Sequence, residues 1–430
     1  MNKKMSHVLA VSAAGFCAFA ATAEVLDRPA GIKIGQRMTL RPYVSLSATY
    51  DSNVGGRCYN SRHDVMWRVN PGFSLDYNHE NWSLNMTGYY SYNAYSQSKN
   101  SNRHNQHTYG ETLRWNWSDS QGAEKGWSLM LSESYHRVTM ADDFTLSDGR
   151  SYNADRGQFD INGGVQRRFN ENWHSGIRGG YYDLEYDNDT SNSGLGALYG
   201  WQRWTASADI GFAPSRWTDF IGMVGYHGYN QDNAGYAWDK SGSRSKHHVG
   251  RRSDGYTAQV GIGSFATERI SYRLLAGWSR FDYGDATSDD GFVYTISGNW
   301  KITDTLHTML LASSYYQPSE REQASRARVD AVSWGLAKSL VRGKLRATLD
   351  LRYRHETNEY AGRKSYGSGS YDYELDVLTG RIGGSYALNR FLSFYLYGEY
   401  QGSWNDESDA RQGAYDYDRW RITGGFKLTY

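Results

Sequence analysis

Apolar and polar residues alternate along most of the chain beyond residue 40, and polar stretches interrupt the alternation at near-regular intervals. In 64–77, Val65, Trp67, Val69, Phe73, Leu75 and Tyr77 share one parity, while Asp64, Arg68, Asn70, Ser74 and Asp76 share the other. In 420–430, Trp420, Ile422, Phe426, Leu428 and Tyr430 fall on one side, and Arg421, Thr423, Lys427 and Thr429 on the other. A period of two is that of a β-strand whose faces meet different surroundings, because successive side chains point to opposite sides. One face here suits lipid and the other water. A closing strand of this kind, with Phe426, Leu428 and Tyr430 on its apolar face, resembles the assembly signal of bacterial outer-membrane barrels.

The interruptions are of two kinds. Short turns bracketed by bulky apolar residues fall at 78–81, 118–126, 169–173, 212–217, 266–270, 302–306, 341–345 and 388–391. Longer polar stretches fall at 51–61, 96–104, 140–153, 187–197, 230–252, 284–290, 317–326, 358–370 and 402–415. Short turns on one rim and long loops on the other predict an all-β, closed antiparallel transmembrane β-barrel of about 18 strands, with 16 as the lower bound. Turns would face the periplasm and loops the exterior. A propeller or solenoid would have a similar repeat length, but would carry a recurring signature and bury both strand faces; neither is seen.

The amino-terminal residues change the picture by adding export. Lys3 and Lys4 precede an apolar run from Val8 to Ala21 that closes in Ala21-Thr22-Ala23, the layout of a secretory signal peptide. Residues 1–23 are therefore expected to be removed, 24–36 to form a periplasmic segment, and 37–430 to form the barrel. Beyond residue 23 no apolar run is long enough for a transmembrane helix. The chain instead has 36 Tyr, 15 Trp and 47 Gly but only 5 Pro, and aromatic enrichment suits the two membrane interfaces of a barrel. Basic and acidic residues nearly balance at 47 and 46, which argues against a nucleic-acid partner. Cys17 lies in the signal segment, so Cys58 has no partner for an internal disulfide and reads as an inert loop thiol.

A family resemblance covers the first quarter. "LRPYVSLSATYDSNV" (40–54) and "VNPGFSLDYNHENWSLNMTGYYSYNAYSQSKNSNRHNQHTYGETL" (69–113) resemble the Putative beta-barrel porin 2 family. The shared features are a first strand ending in Tyr-Asp-x-Asn, a second with a proline before alternating aromatics, and a third ending in tyrosines before a polar loop. The resemblance implies an outer-membrane barrel, in some members near polysaccharide-export systems, with no general catalytic site. Pro71 lacks a ladder donor and is expected to sit at a bulge.

If the aromatic parity faces lipid, the lumen is lined by Arg68, Arg114, Arg168, Arg178, Arg346, Arg352, Arg354, Arg419 and Arg421, with Arg273 added, against Asp64, Asp76, Asp160, Asp350, Glu356 and Glu399. Either this basic bias favours anions or acidic sugars, or the charges pair across strands; spacing leaves both open. Tyr395 and Tyr397 fall on the same parity, where their rings could guide sugars. The 230–252 loop is basic through Lys240, Arg244, Lys246, His247, His248, Arg251 and Arg252. Its two histidines lack a third ligand at a suitable spacing, so no metal and no cofactor is expected. No nucleophile elbow or triad stands out around His107, His136, His174, His227, His307 or His355, so no enzyme is expected. The expected function is a porin-like channel for small polar solutes with mild anion preference. An outer-membrane conduit for polysaccharide export comes second, and a surface adhesion barrel third. Expected partners are outer-membrane lipid and lipopolysaccharide, the barrel-assembly machinery, small polar solutes or oligosaccharides, and further copies of the chain in a homotrimer.

Overall fold

The computed structural model describes residues 31–54, 63–96, 105–119, 126–138, 155–187, 201–215, 217–231, 234–238, 244–248, 251–264, 269–283, 287–317, 326–341, 344–359, 373–405 and 416–430. Residues 1–23 and Cys58 lie outside them. The strands are β1 (Ile32–Ile34), β2 (Met38–Asp51), β3 (Asp64–Asn78), β4 (Trp82–Tyr95), β5 (Asn105–Ser118), β6 (Gly126–Val138), β7 (Asp155–Arg168), β8 (Trp173–Asp187), β9 (Trp201–Ser215), β10 (Thr218–Gln231), β11 (Ala234–Trp238), β12 (Arg244–His248), β13 (Arg251–Gly263), β14 (Ile270–Tyr283), β15 (Thr287–Thr303), β16 (Leu306–Gln317), β17 (Arg326–Leu340), β18 (Leu345–Glu359), β19 (Tyr373–Ala387), β20 (Leu392–Asn405) and β21 (Tyr417–Thr429).

β2 to β10 and β13 to β21 pair each with the next, all antiparallel, and β21 pairs back onto β2. This is the closed all-β antiparallel barrel of about 18 strands that the alternation predicts. Following the registers around the ring returns to β2 about 22 residues from the start, a stagger that goes with strands tilted by roughly 40°. A ring of this size leaves an aqueous lumen unless something plugs it.

Closure brings Tyr43 opposite Thr429 and Asp51 opposite Arg421. β21 does not reach the first residues of β2, and β1 pairs there instead, with Ile32 opposite Leu40 and Ile34 opposite Met38. Part of the expected periplasmic segment thus extends the sheet and covers an otherwise open strand edge.

Exposure follows strand parity. One aromatic ring, with Trp127, Trp173, Phe220, Trp300 and Phe394, lies near the short turns; a second, with Tyr50, Tyr256, Trp278, Tyr353 and Trp420, lies nearer the loops. Exposed aliphatic residues such as Ile177, Val260, Ile382 and Leu396 fall between the rings. In an outer-membrane barrel this is the lipid-facing band between two interfacial girdles.

Three expectations are corrected. Pro71 makes no bulge: Val44 pairs with Pro71, and the β3–β4 register is the same on either side of it, only the local pairing being absent. Proline removes one donor without adding a residue, so the ladder is interrupted and not shifted. Residues 287–290 belong to β15, with Asp290 opposite Arg280, because the strands continue as polar ladders above the apolar band. The 230–252 stretch contains the β11–β12 hairpin, with Ala234 opposite His248.

Candidate functional site

The inner wall carries the candidate chemistry, and registers settle which residues face it. Outward Leu46, Trp67, Tyr353, Ile382, Leu396 and Ile422 fix the parity of β2, β3, β18, β19, β20 and β21. The opposite parity holds Arg68 on β3, Arg346, Arg352 and Arg354 on β18, and Arg419 and Arg421 on β21. The same test puts Arg114 on β5, Arg168 on β7, Arg178 on β8 and Arg273 on β14 inside. All nine arginines named as pore-lining therefore face the lumen, as do Asp64, Asp76, Asp160, Asp350, Glu356 and Glu399. Parity also puts Arg41, Arg203 and Arg381 there, which the sequence reading passed over. In β19 the glycines Gly380, Gly383 and Gly384 erase the apolar alternation that would have exposed Arg381.

Direct cross-strand partners line up Asp350, Arg381, Glu399, Arg421, Asp51 and Asp64 across six adjoining strands. The row alternates in sign until its last two members, and Arg421 bonds to Glu399. Arg419 holds Asp51 at the seam: its Nε donates to Oδ1 at 3.0 Å and Oδ2 at 3.1 Å, and Nη2 donates to Oδ2. Both residues are 3% exposed. The Asn53 backbone N–H donates to the same carboxylate at 3.1 Å. A buried pair so saturated avoids the cost of an isolated buried charge.

Most other lumenal cations are also engaged. Arg41 pairs with Asp76, Arg354 with Glu356, and Arg178 with Asp209 at 3.1 Å. Arg68 Nε donates to Asn93 Oδ1 at 2.8 Å, and Arg168 Nη2 to the Glu171 carbonyl at 2.9 Å. Arg203 is buried, with its guanidinium 5.5 Å from the Tyr182 ring centroid and 5.7 Å from that of Trp201. Arg114 is exposed and Arg346 half-exposed, and the side chain of neither has a hydrogen bond or ion pair with another described residue; the same holds for the Asp350 carboxylate. The cross-strand pairing is thus real for much of the wall, while these two cations stand apart from it.

Tyr395 and Tyr397 face inward, with ring centroids 5.7 Å apart. Each lies flat over a glycine of the neighbouring strand: a Cβ at Gly425 would sit 2.6 Å from the Tyr395 hydroxyl, and one at Gly383 would meet the Tyr397 ring. The Arg381 guanidinium sits 4.2 Å from the Tyr397 centroid, a cation–π contact that uses a ring face a sugar would need. The wall is not polar throughout. Leu184, Trp201, Tyr229, Phe281 and Tyr283 form a buried cluster on its lumenal side, toward the loop rim.

Among the closing-strand residues, Leu428 and Tyr430 are exposed on the outward side, with Phe426 on the same parity. Tyr430 stacks on Phe391 at 6.0 Å, and its N–H donates to the Pro42 carbonyl at 3.0 Å. Lys240 lies outside the described residues. Among the described residues no group of three or more His, Cys, Asp or Glu could hold a metal ion.

The profile of the family described as Putative beta-barrel porin 2 matches residues 28–199. No curated protein matches the chain. Among solved structures, the siderophore receptor PirA from Acinetobacter baumannii is similar at 10% identity and a TM-score of 0.45, over 93% of this chain and 81% of that one. The FrpB iron transporter from Neisseria meningitidis is similar at 9% identity and a TM-score of 0.46, over 92% and 82%. The copper transporter OprC is similar at 11% identity and a TM-score of 0.43, over 88% of this chain, which spans 63% of OprC.

Proposed function

We propose that this barrel is an outer-membrane channel, with its short turns in the periplasm, that passes small polar solutes with a mild preference for anions. The observation that carries this reading is the lumenal wall: an 18-strand-sized ring whose acids are largely matched by arginines, where among the described residues Arg114 and Arg346 outnumber Asp350 as side chains outside any pair. At an effective dielectric of ~20, unit charges ~4 Å apart interact by about 4 kcal/mol, so matched charges nearly cancel and unmatched ones set the potential. No catalytic step is assigned to it.

Purified protein in a planar bilayer should conduct by itself and give a reversal potential of anion sign in a potassium chloride gradient. Arg114→Glu with Arg346→Glu should move that potential toward cations, and the shift should shrink at high salt as screening sets in. A cation-selective parent, or an unmoved potential, would refute the anion preference. Failure of the purified barrel to conduct would instead favour an export conduit that needs periplasmic partners.

Sidedness has its own check. A cysteine replacing Glu80 in the β3–β4 turn should resist a membrane-impermeant maleimide in intact cells and react once the outer membrane is opened. Labelling in intact cells would reverse the orientation.

A further inference from the structure

Above the loop-side aromatic ring, the outward face of the β13–β17 wall turns from apolar to charged at one level. Arg-x-Asp recurs there in outward parity: Arg252 and Asp254 on β13, Arg280 and Asp282 on β14, Arg328 and Asp330 on β17. In each, the carboxylate approaches the arginine from its Nε side, at 3.9, 3.2 and 3.3 Å respectively. The side chains remain 78%, 64% and 40% exposed. On β8 and β21 the corresponding outward positions carry acids without an arginine beside them, Asp183 and Glu185 on β8 and Asp418 on β21, while β6 carries Arg137.

We infer that this face docks the phosphorylated headgroup of an outer-leaflet glycolipid. The planar guanidinium fork matches phosphate in bidentate fashion. Three such forks lie directly above exposed Tyr256, Trp278, Phe292 and Val332, against which acyl chains would pack. The in-strand aspartates take the Nε side of each fork, and the Arg328 guanidinium also lies 5.9 Å from the ring centroid of Tyr316 on β16. The apolar band thus supplies the lipid end of the site and the arginine row supplies the anion end. A soluble phosphate would use only the second. The inference rests on the loop rim facing outward, but not on the lumen conducting.

The test offers bisphosphorylated lipid A to detergent-solubilised protein and reads bound lipid by native mass spectrometry. The parent should retain it in preference to lipid A stripped of both phosphates and to a zwitterionic phospholipid. R252Q/R280Q/R328Q should weaken retention on the order of tenfold or more, while conduction and heat-modifiable migration stay unchanged. Should the triple variant not fold, R280Q alone should show a smaller loss in the same direction. Equal retention of phosphorylated and stripped lipid, or undiminished retention by the variants, overturns the inference. So does a parent that is oligomeric where the triple variant is monomeric, since the face would then join copies of this chain. The probe is presented in micelles, so a negative result is separable from failure of the channel or of its sidedness.

Discussion

Deleting Phe426 to Tyr430 should abolish the folded barrel. These residues supply the cross-strand partners of Tyr43 to Leu46 on one side and of Leu392 to Phe394 on the other. Their loss opens a sheet edge within the membrane band. An unpaired backbone group in lipid costs several kcal/mol, and several are created at once, far more than the few kcal/mol margin of a typical fold. The truncated chain should accumulate in the periplasm, sensitive to protease, and lose the slow-migrating heat-modifiable form on gels. Normal surface levels of heat-modifiable protein would refute both the seam and the assembly role of Phe426, Leu428 and Tyr430.

The second large effect is expected at the other end of that seam. Asp51→Ala leaves the Arg419 guanidinium without its carboxylate at a site with almost no solvent. Breaking one partner of a buried pair commonly costs about 3–5 kcal/mol, because the remaining charge stays desolvated. The two residues lie 368 positions apart in the chain, so the loss falls on ring closure and not on any local hairpin. The variant should unfold in micelles at markedly lower urea. Replacing both residues by apolar ones of similar size should recover much of the loss. An unchanged urea midpoint for Asp51→Ala would mean that the pair contributes nothing to closure.

The faces of this barrel were legible in the sequence because a period of two needs no knowledge of neighbours. Trp67 and Arg68 declare opposite sides from their own strand, and the same holds for the nine arginines read into the lumen from the sequence, though not for Arg381, whose glycine-rich strand hides the alternation. The two rims were legible too, since a few polar residues between bulky apolar ones can only be a tight turn. What could not be read was pairing. Arg419 finds Asp51 across the whole chain, and Arg346 is left without a partner among the described residues, by virtue of registers that no strand states about itself. Tyr397 likewise reads as an open platform until the neighbouring β19 brings Arg381 onto it. Pro71 misled for a related reason: a missing donor is visible in sequence, but whether the strand absorbs it in place depends on the ladders on both sides.

The short strand β1 bears on how the ring chooses its size. β21 runs down the edge of β2 until Thr429 stands opposite Tyr43, and β1 takes up the same edge two residues before Pro42, with Ile32 opposite Leu40. A side-preserving slip must move by two residues, and in this direction it would drive the end of β21 into Ile32. β1 thus acts as a doorstop for the closing strand: it forbids the next allowed stagger, and with it a barrel of different tilt and bore.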